Sequence, residues 1–103
     1  MAADLDGDGN TDLYVTTEAS DVLLWNEAHD LTEFTIGNLV VELDGQRWTP
    51  PRESGLLAGV FRAAMLESGQ LHERRLAVTD LSRATAVWLI NSVREWVAVR
   101  LVD

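Results

Sequence analysis

The sequence predicts an α+β fold, a mostly antiparallel sheet with one main helix, and three observations carry that prediction. Short apolar runs recur between turn signals along most of the chain, as they do in a half-buried sheet. One segment alone changes to a helical period. The chain has 103 residues, 47% of them apolar and 24% charged, which suits one small globular domain.

The elements follow in order. Residues 13–17 (LYVTT) form a β-prone run, and 21–26 (DVLLWN) an apolar run that predicts a buried strand. Residues 27–30 read as a turn. Residues 34–43 (FTIGNLVVEL) predict one longer strand with Gly37 inside it as a bulge. Asp44-Gly45 is a two-residue hairpin signal, 46–49 is the returning strand, and Pro50-Pro51 ends it. Leu56, Leu57, Val60, Phe61, Ala64 and Met65 share one face of a helix over 56–68, a face expected to be core rather than a ligand site, and Gly69 stops it. Residues 71–78 alternate as a strand, and Thr79-Asp80 predicts the N-cap of one short helical turn. Residues 84–90 predict a buried strand, 91–94 a turn, and 96–102 the last strand. The chain divides into an acidic N-terminal segment, 1–20, and a domain over 21–103.

Composition excludes several functions. All eight basic residues are arginine, so no lysine side chain is present to form a Schiff base. Seventeen acidic residues give a net charge of −9, which disfavours nucleic acid and anionic membranes as partners. There is no cysteine, hence no disulfide or thiolate site. No apolar stretch is long enough for a membrane helix. The N-terminus lacks the basic and apolar regions of a signal peptide, so the expected location is cytoplasmic. No P-loop, G-x-S-x-G, G-x-G-x-x-G or H-E-x-x-H motif occurs. His29 and His72 have no serine partner at a motif spacing, and Arg74-Arg75 reads as a solvated pair. No catalytic residue is identifiable.

Asp4, Asp6, Asp8 and Asp12 follow D-x-D-x-D-G-x-x-D, a spacing that can converge carboxylates on one hard cation such as calcium. The glutamate that would close a full EF-hand loop is replaced by Val15. The shorter pattern resembles the calcium loops of FG-GAP-type propeller repeats, although one copy cannot build a propeller. A solvated acidic segment is the alternative reading.

Three ordered blocks, DVLLWNEAHDLTEFTIGNLVVELDGQRWTPP, SGLLAGVFRAAMLESGQLHERRLAVTDL and VWLINSVREW, resemble the C-terminal part of class IV (fold type IV) pyridoxal-phosphate enzymes. Among these, 4-amino-4-deoxychorismate lyase is the most similar. The resemblance implies that Glu33 pairs with the cofactor's pyridinium nitrogen and that Thr35, Ile36 and Asn38 form a phosphate-holding turn. It implies that Gly59, Val60 and Phe61 open the helix as a second phosphate-cradling element. Asn91, Ser92 and Arg94 match a substrate-side loop, with Arg94 suited to a carboxylate. For Glu33, a solvated or arginine-paired carboxylate is the competing reading.

The sequence departs from the family's pattern at several points. Phe34 stands where glycine usually follows the glutamate, and Phe61 where threonine is frequent. The cofactor-bearing lysine is missing, as is the phosphate-clamping arginine of the N-terminal lobe. The chain therefore reads as a truncated half of the fold type IV architecture, without standard pyridoxal-phosphate lyase or transaminase chemistry. Two alternatives accompany this reading. One is a fragment reused with another phosphorylated cofactor, for example an NAD-dependent oxidoreductase acting on a small polar substrate. The other is a calcium-binding interaction module. Apolar surface left by truncation predicts a homo-oligomer, dimer or tetramer, with Trp25, Trp48, Trp88 and Trp96 as interface candidates.

Overall fold

A computed structural model describes the backbone of residues 13–16 and 21–102 and the side chains of 22–100. The acidic loop with Asp4, Asp6, Asp8 and Asp12 lies outside the described residues. The strands are β1 (Leu13–Thr16), β2 (Asp21–Trp25), β3 (Leu31–Phe34), β4 (Gly37–Leu43), β5 (Gln46–Thr49), β6 (His72–Glu73), β7 (Ala86–Asn91), β8 (Glu95–Ala98) and β9 (Arg100–Val102). The helix α1 spans Val60–Ser68, and 3-10 turns occupy Arg52–Ser54 and Val78–Arg83. The expected α+β class, mostly antiparallel with one main helix, is what the chain adopts.

The sheet closes on itself. β4 pairs β3, β3 pairs β2, β2 pairs β1, and β1 pairs β9, all antiparallel. On its other side β4 pairs β7, and β7 pairs β8. Only Val99 separates β8 from β9, and its N–H still donates to Val87 at 3.0 Å. The two strands thus act as one kinked strand that leaves β7 for β1 and completes the ring. The single last strand expected over 96–102 is split there because its two halves have different partners.

Alternation along the strands sorts side chains into two cores. Leu39, Val41 and Leu43 of β4 join Leu89 of β7 and Leu23, Trp25 and Leu31 inside the ring, with Val87, Val97 and Val99 against them. Val40 and Ile90 face outward and form a second cluster with Leu71, covered by Phe61, Met65 and Leu66 and flanked by Trp88 and Trp96. Trp25 is buried in the inner core, so it is unavailable as an interface residue.

Residues 34–43 form not one strand but a hairpin. Phe34 pairs Gly37 across the two-residue turn Thr35-Ile36. Gly37 is no bulge. A Cβ there would sit 2.7 Å from the Ile90 carbonyl oxygen, so glycine lets β7 approach β4. The irregularity lies instead in β3, where Leu23 faces Phe34 but Trp25 faces Leu31, one extra residue on β3. Without it Glu33, two residues from the buried Leu31, would point into the ring. The second hairpin is as expected, with Asp44 at φ 53° and Gly45 at φ 78°.

The helix starts later than its periodicity suggests. Leu57 and Val60 are 82% and 80% exposed, and Ala64 is exposed too, because loop and first turn lie at the edge of the second core. Gly69 ends α1 at φ 83°. The strand expected over 71–78 is only His72–Glu73, parallel to β5. Arg74 N–H still donates to the Thr49 carbonyl at 3.0 Å, but Pro50 has no N–H with which to continue the ladder. The following 3-10 turn is capped from within: Asp80 Oδ2 accepts from the Ala77 N–H at 2.8 Å. Arg75 pairs with Asp30 at 3.1 Å, and the Arg74 guanidinium lies 5.5 Å from the Trp48 ring centre, so this pair is engaged rather than merely solvated.

Candidate functional site

Three loops meet at one rim of the ring: the Thr35-Ile36 turn, the segment leading into α1, and the turn after β7. Between them lies a cleft of about 300 Å³. Glu33, Thr35, Ile36, Asn38, Gly59 and Phe61 line it, and Asn91 and Ser92 close its far side. The structure therefore gathers most of the residues singled out by sequence.

Glu33 reaches the cleft because of the extra residue in β3. Its Oε1 accepts a hydrogen bond from the Leu57 N–H at 3.3 Å. Burial pushes its carboxyl above the usual carboxylate range, and the Leu57 bond only partly offsets that. Asn38 is 4% exposed. Its Nδ2 donates to the Leu57 carbonyl at 2.9 Å, and its Oδ1 accepts from the Gly59 N–H at 3.1 Å. Asn91 joins the other two turns. Its Nδ2 donates to the Ile36 carbonyl at 3.0 Å, and its Oδ1 accepts from Val93 and Arg94 N–H groups at 3.1 and 2.8 Å.

Gly59 caps α1, whose first intrahelical bond runs from Ala63 N–H to the Gly59 carbonyl at 3.1 Å. The N–H groups of the first turn precede that bond, and they favour an anion. Val60 begins the helix with its side chain in solvent and does not line the cleft. Phe61 does, with its ring edge-on to Trp96 at 6.3 Å. Arg94 is not among the cleft residues. It lines a separate shallow groove with Trp96, Val97 and Ala98.

Arg62 also lines the cleft and was not singled out by sequence. It is 3% exposed, donates to the Pro50 carbonyl at 3.1 Å and pairs with Glu73. Its Nε is buried without a protein partner. The available signal was its position, since it falls with Met65 and Leu66 on the packed side of α1. His29 lies in the β2–β3 turn with φ 63°, and His72 packs on Trp48 at 5.8 Å; neither lines the cleft. Among the described residues no group of three or more His, Cys, Asp or Glu side chains is placed to hold a metal ion.

A closed antiparallel ring with a rim cleft between the strand that carries Glu33 and a helix N-terminus defines the class of protein, and the chain belongs to the amino-transferase class IV family, which it matches over residues 12–102. That match takes in β1. Within the family the chain lies near aminodeoxychorismate lyase. A provisionally named aminodeoxychorismate lyase of Schizosaccharomyces pombe is 39% identical over 82 residues, covering 77% of this chain and 36% of the yeast protein. The crystal structure of a provisionally named amino-acid aminotransferase from Mesorhizobium loti superposes with a TM-score of 0.72 at 38% identity, over 76% of this chain and 38% of that one. The 4-amino-4-deoxychorismate lyase of Pseudomonas aeruginosa gives 0.69 at 30% identity, over 76% and 31%. The chain thus spans about a third of the length of these relatives, as a fragment of the fold type IV architecture.

Proposed function

We propose that this chain supplies one wall of a pyridoxal-phosphate site, holding the cofactor's ring nitrogen and phosphate but not its Schiff-base lysine. The carrying observation is the convergence of Glu33, Thr35, Asn91 and the first turn of α1 on one cleft. The residues fit the group. A carboxylate stands at one end of the cleft, first-turn amides and a hydroxyl line it, and Gly59 leaves the backbone open. A volume of about 300 Å³ is at the low end for ligand sites, which suits a single ring better than a dinucleotide. When bound, pyridoxal phosphate supplies an electron sink for negative charge at a substrate carbon.

The chain's own residues have binding roles. Glu33 accepts the proton-bearing ring nitrogen, and pairing with that charge offsets the burial that raises its carboxyl. The amides of Phe61 and Arg62, with the Thr35 hydroxyl, take the phosphate. Ser92 and Arg94 stand on the substrate side, Arg94 outside the cleft proper. With no lysine among its 103 residues, the chain releases no pyruvate from aminodeoxychorismate by itself. Titration with pyridoxal phosphate, followed by tryptophan fluorescence, tests the reading. Saturable binding that inorganic phosphate competes away and Glu33→Gln weakens supports it. Binding unaffected by either, or pyruvate release by the pure chain, overturns it.

The same reading includes assembly. Ile36, Leu57, Val60 and Val93 are the exposed large apolar residues among those described, and the first two line the cleft. Apolar surface beside a binding cleft favours burial against a second subunit, as a dimer or tetramer. Sedimentation of the pure protein checks this, and a monomer at all concentrations contradicts it. A cytoplasmic location is proposed from family membership. Among the described residues no helix is long and apolar enough to cross a membrane.

A further inference from the structure

We infer that Asn38 is a positioning residue for the phosphate cradle rather than one of its ligands. This deepens the proposed function and rests on that reading for its link to the cofactor. Both polar atoms of the Asn38 amide are already committed. Nδ2 holds the Leu57 carbonyl at 2.9 Å, and Oδ1 holds the Gly59 N–H at 3.1 Å. With the residue 4% exposed, the amide's remaining N–H and lone pair are largely shielded from a ligand in the cleft.

What Asn38 grips is the approach to α1. Its two contacts bracket Ala58 and end on Gly59, the residue that caps the helix and precedes the free first-turn amides. Gly59 fits the grip closely, since a Cβ there would lie 2.8 Å from Asn38 Oδ1. Glu33 takes the N–H of the same Leu57 whose carbonyl Asn38 holds. Two side chains of the β3–β4 hairpin thus fix one peptide segment, and the hairpin sets where the helix N-terminus points. An anion cradle made of backbone N–H groups has no side chain to adjust, so the placement of its first turn determines its fit.

Three variants test this: Asn38→Ala, Gly59→Ala and the double variant. The readouts are thermal midpoint, amide hydrogen exchange of the ligand-free protein, and affinity for pyridoxal phosphate against unphosphorylated pyridoxal. Asn38→Ala is expected to speed exchange at 57–62 while β4 and β7 keep their protection. It is expected to weaken pyridoxal phosphate about tenfold, the low end of the loss that removing an outer-shell partner causes at metal sites, and to spare pyridoxal. Gly59→Ala, at φ −73°, is tolerated by the backbone and displaces the same amide, so it gives a similar loss. The double variant loses no more than either single one.

Equal weakening of both ligands, or exchange that rises across the whole sheet, shows that Asn38 only stabilises the fold and overturns the inference. So does unchanged selectivity in both single variants. If wild-type protein binds neither ligand, the cofactor reading fails. The exchange measurement then still decides whether Asn38 sets the helix N-terminus, with unchanged exchange at 57–62 counting against it.

Discussion

Glu33 shows how one side chain can sit against the interest of the fold. Its carboxyl is pushed up by burial, so the folded protein holds that proton more tightly than the unfolded chain does. Stability tied to Glu33 is therefore greatest in acid and falls as pH rises through the usual carboxylate range and up to the raised native value. Gln at this position keeps an acceptor for the Leu57 N–H and carries no charge. Glu33→Gln is expected to raise the thermal midpoint at pH 7 and to leave it unchanged near pH 4, measured by circular dichroism, while weakening pyridoxal phosphate. Asp80 behaves oppositely. Partial burial works against its charge, but the Ala77 N–H and the Arg83 guanidinium hold its carboxyl below the usual range. Its contribution is present above the unfolded pKa and is lost as pH falls through the lowered native one. Asp80→Ala removes the internal cap and should cost about 1 kcal/mol at pH 7, less in strong acid, by denaturant melts. Arg62 is the residue that sequence reading passed over. An arginine is seldom fully buried, and only the meeting of Pro50, Glu73 and α1 explains this one.

At the scale of elements, turn chemistry was the most legible feature. Asp44-Gly45 announced its hairpin because two consecutive positive φ values suit few residue pairs. Gly45→Ala is expected to cost about 1 kcal/mol through backbone strain at φ 78°, with the cleft unaffected, as read by equilibrium unfolding beside ligand titration. The Thr35-Ile36 turn was hidden from apolar patterning. Neither residue is a turn former, so 34–43 read as one strand, and only the family resemblance marked a turn there. The helix was recognised but set too early, because Leu56 and Leu57 continue its apolar period without being helical. In each case the missing information was a neighbour. β7 explains Gly37, Pro50 explains the short β6, and the change of partner explains the break at Val99.

At the scale of the whole molecule, ring closure is what makes a sheet this small stable. The strands enclose the inner core and the segment from Leu76 to Ala84 packs against it, with Leu76, Val78 and Leu81 contributing; Leu89, at 2% exposure, sits where β4 and β7 meet inside it. Leu89→Ala should cost about 3 kcal/mol by cavity formation, a large share of the stability of a domain this size, measured by urea unfolding. The α+β class, most of the turns, the absence of lysine and the residues that resemble a class IV site are legible along the chain. Those properties reside in local patterns and residue types. Tertiary structure alone decided that the sheet closes, that Trp25 is core, that Glu33 turns outward, and that Arg94 stands apart from Glu33 and Asn38. These depend on contacts between residues far apart in the chain. The side to which a strand faces follows from its register against its partners, and a single inserted residue in β3 is enough to reverse it.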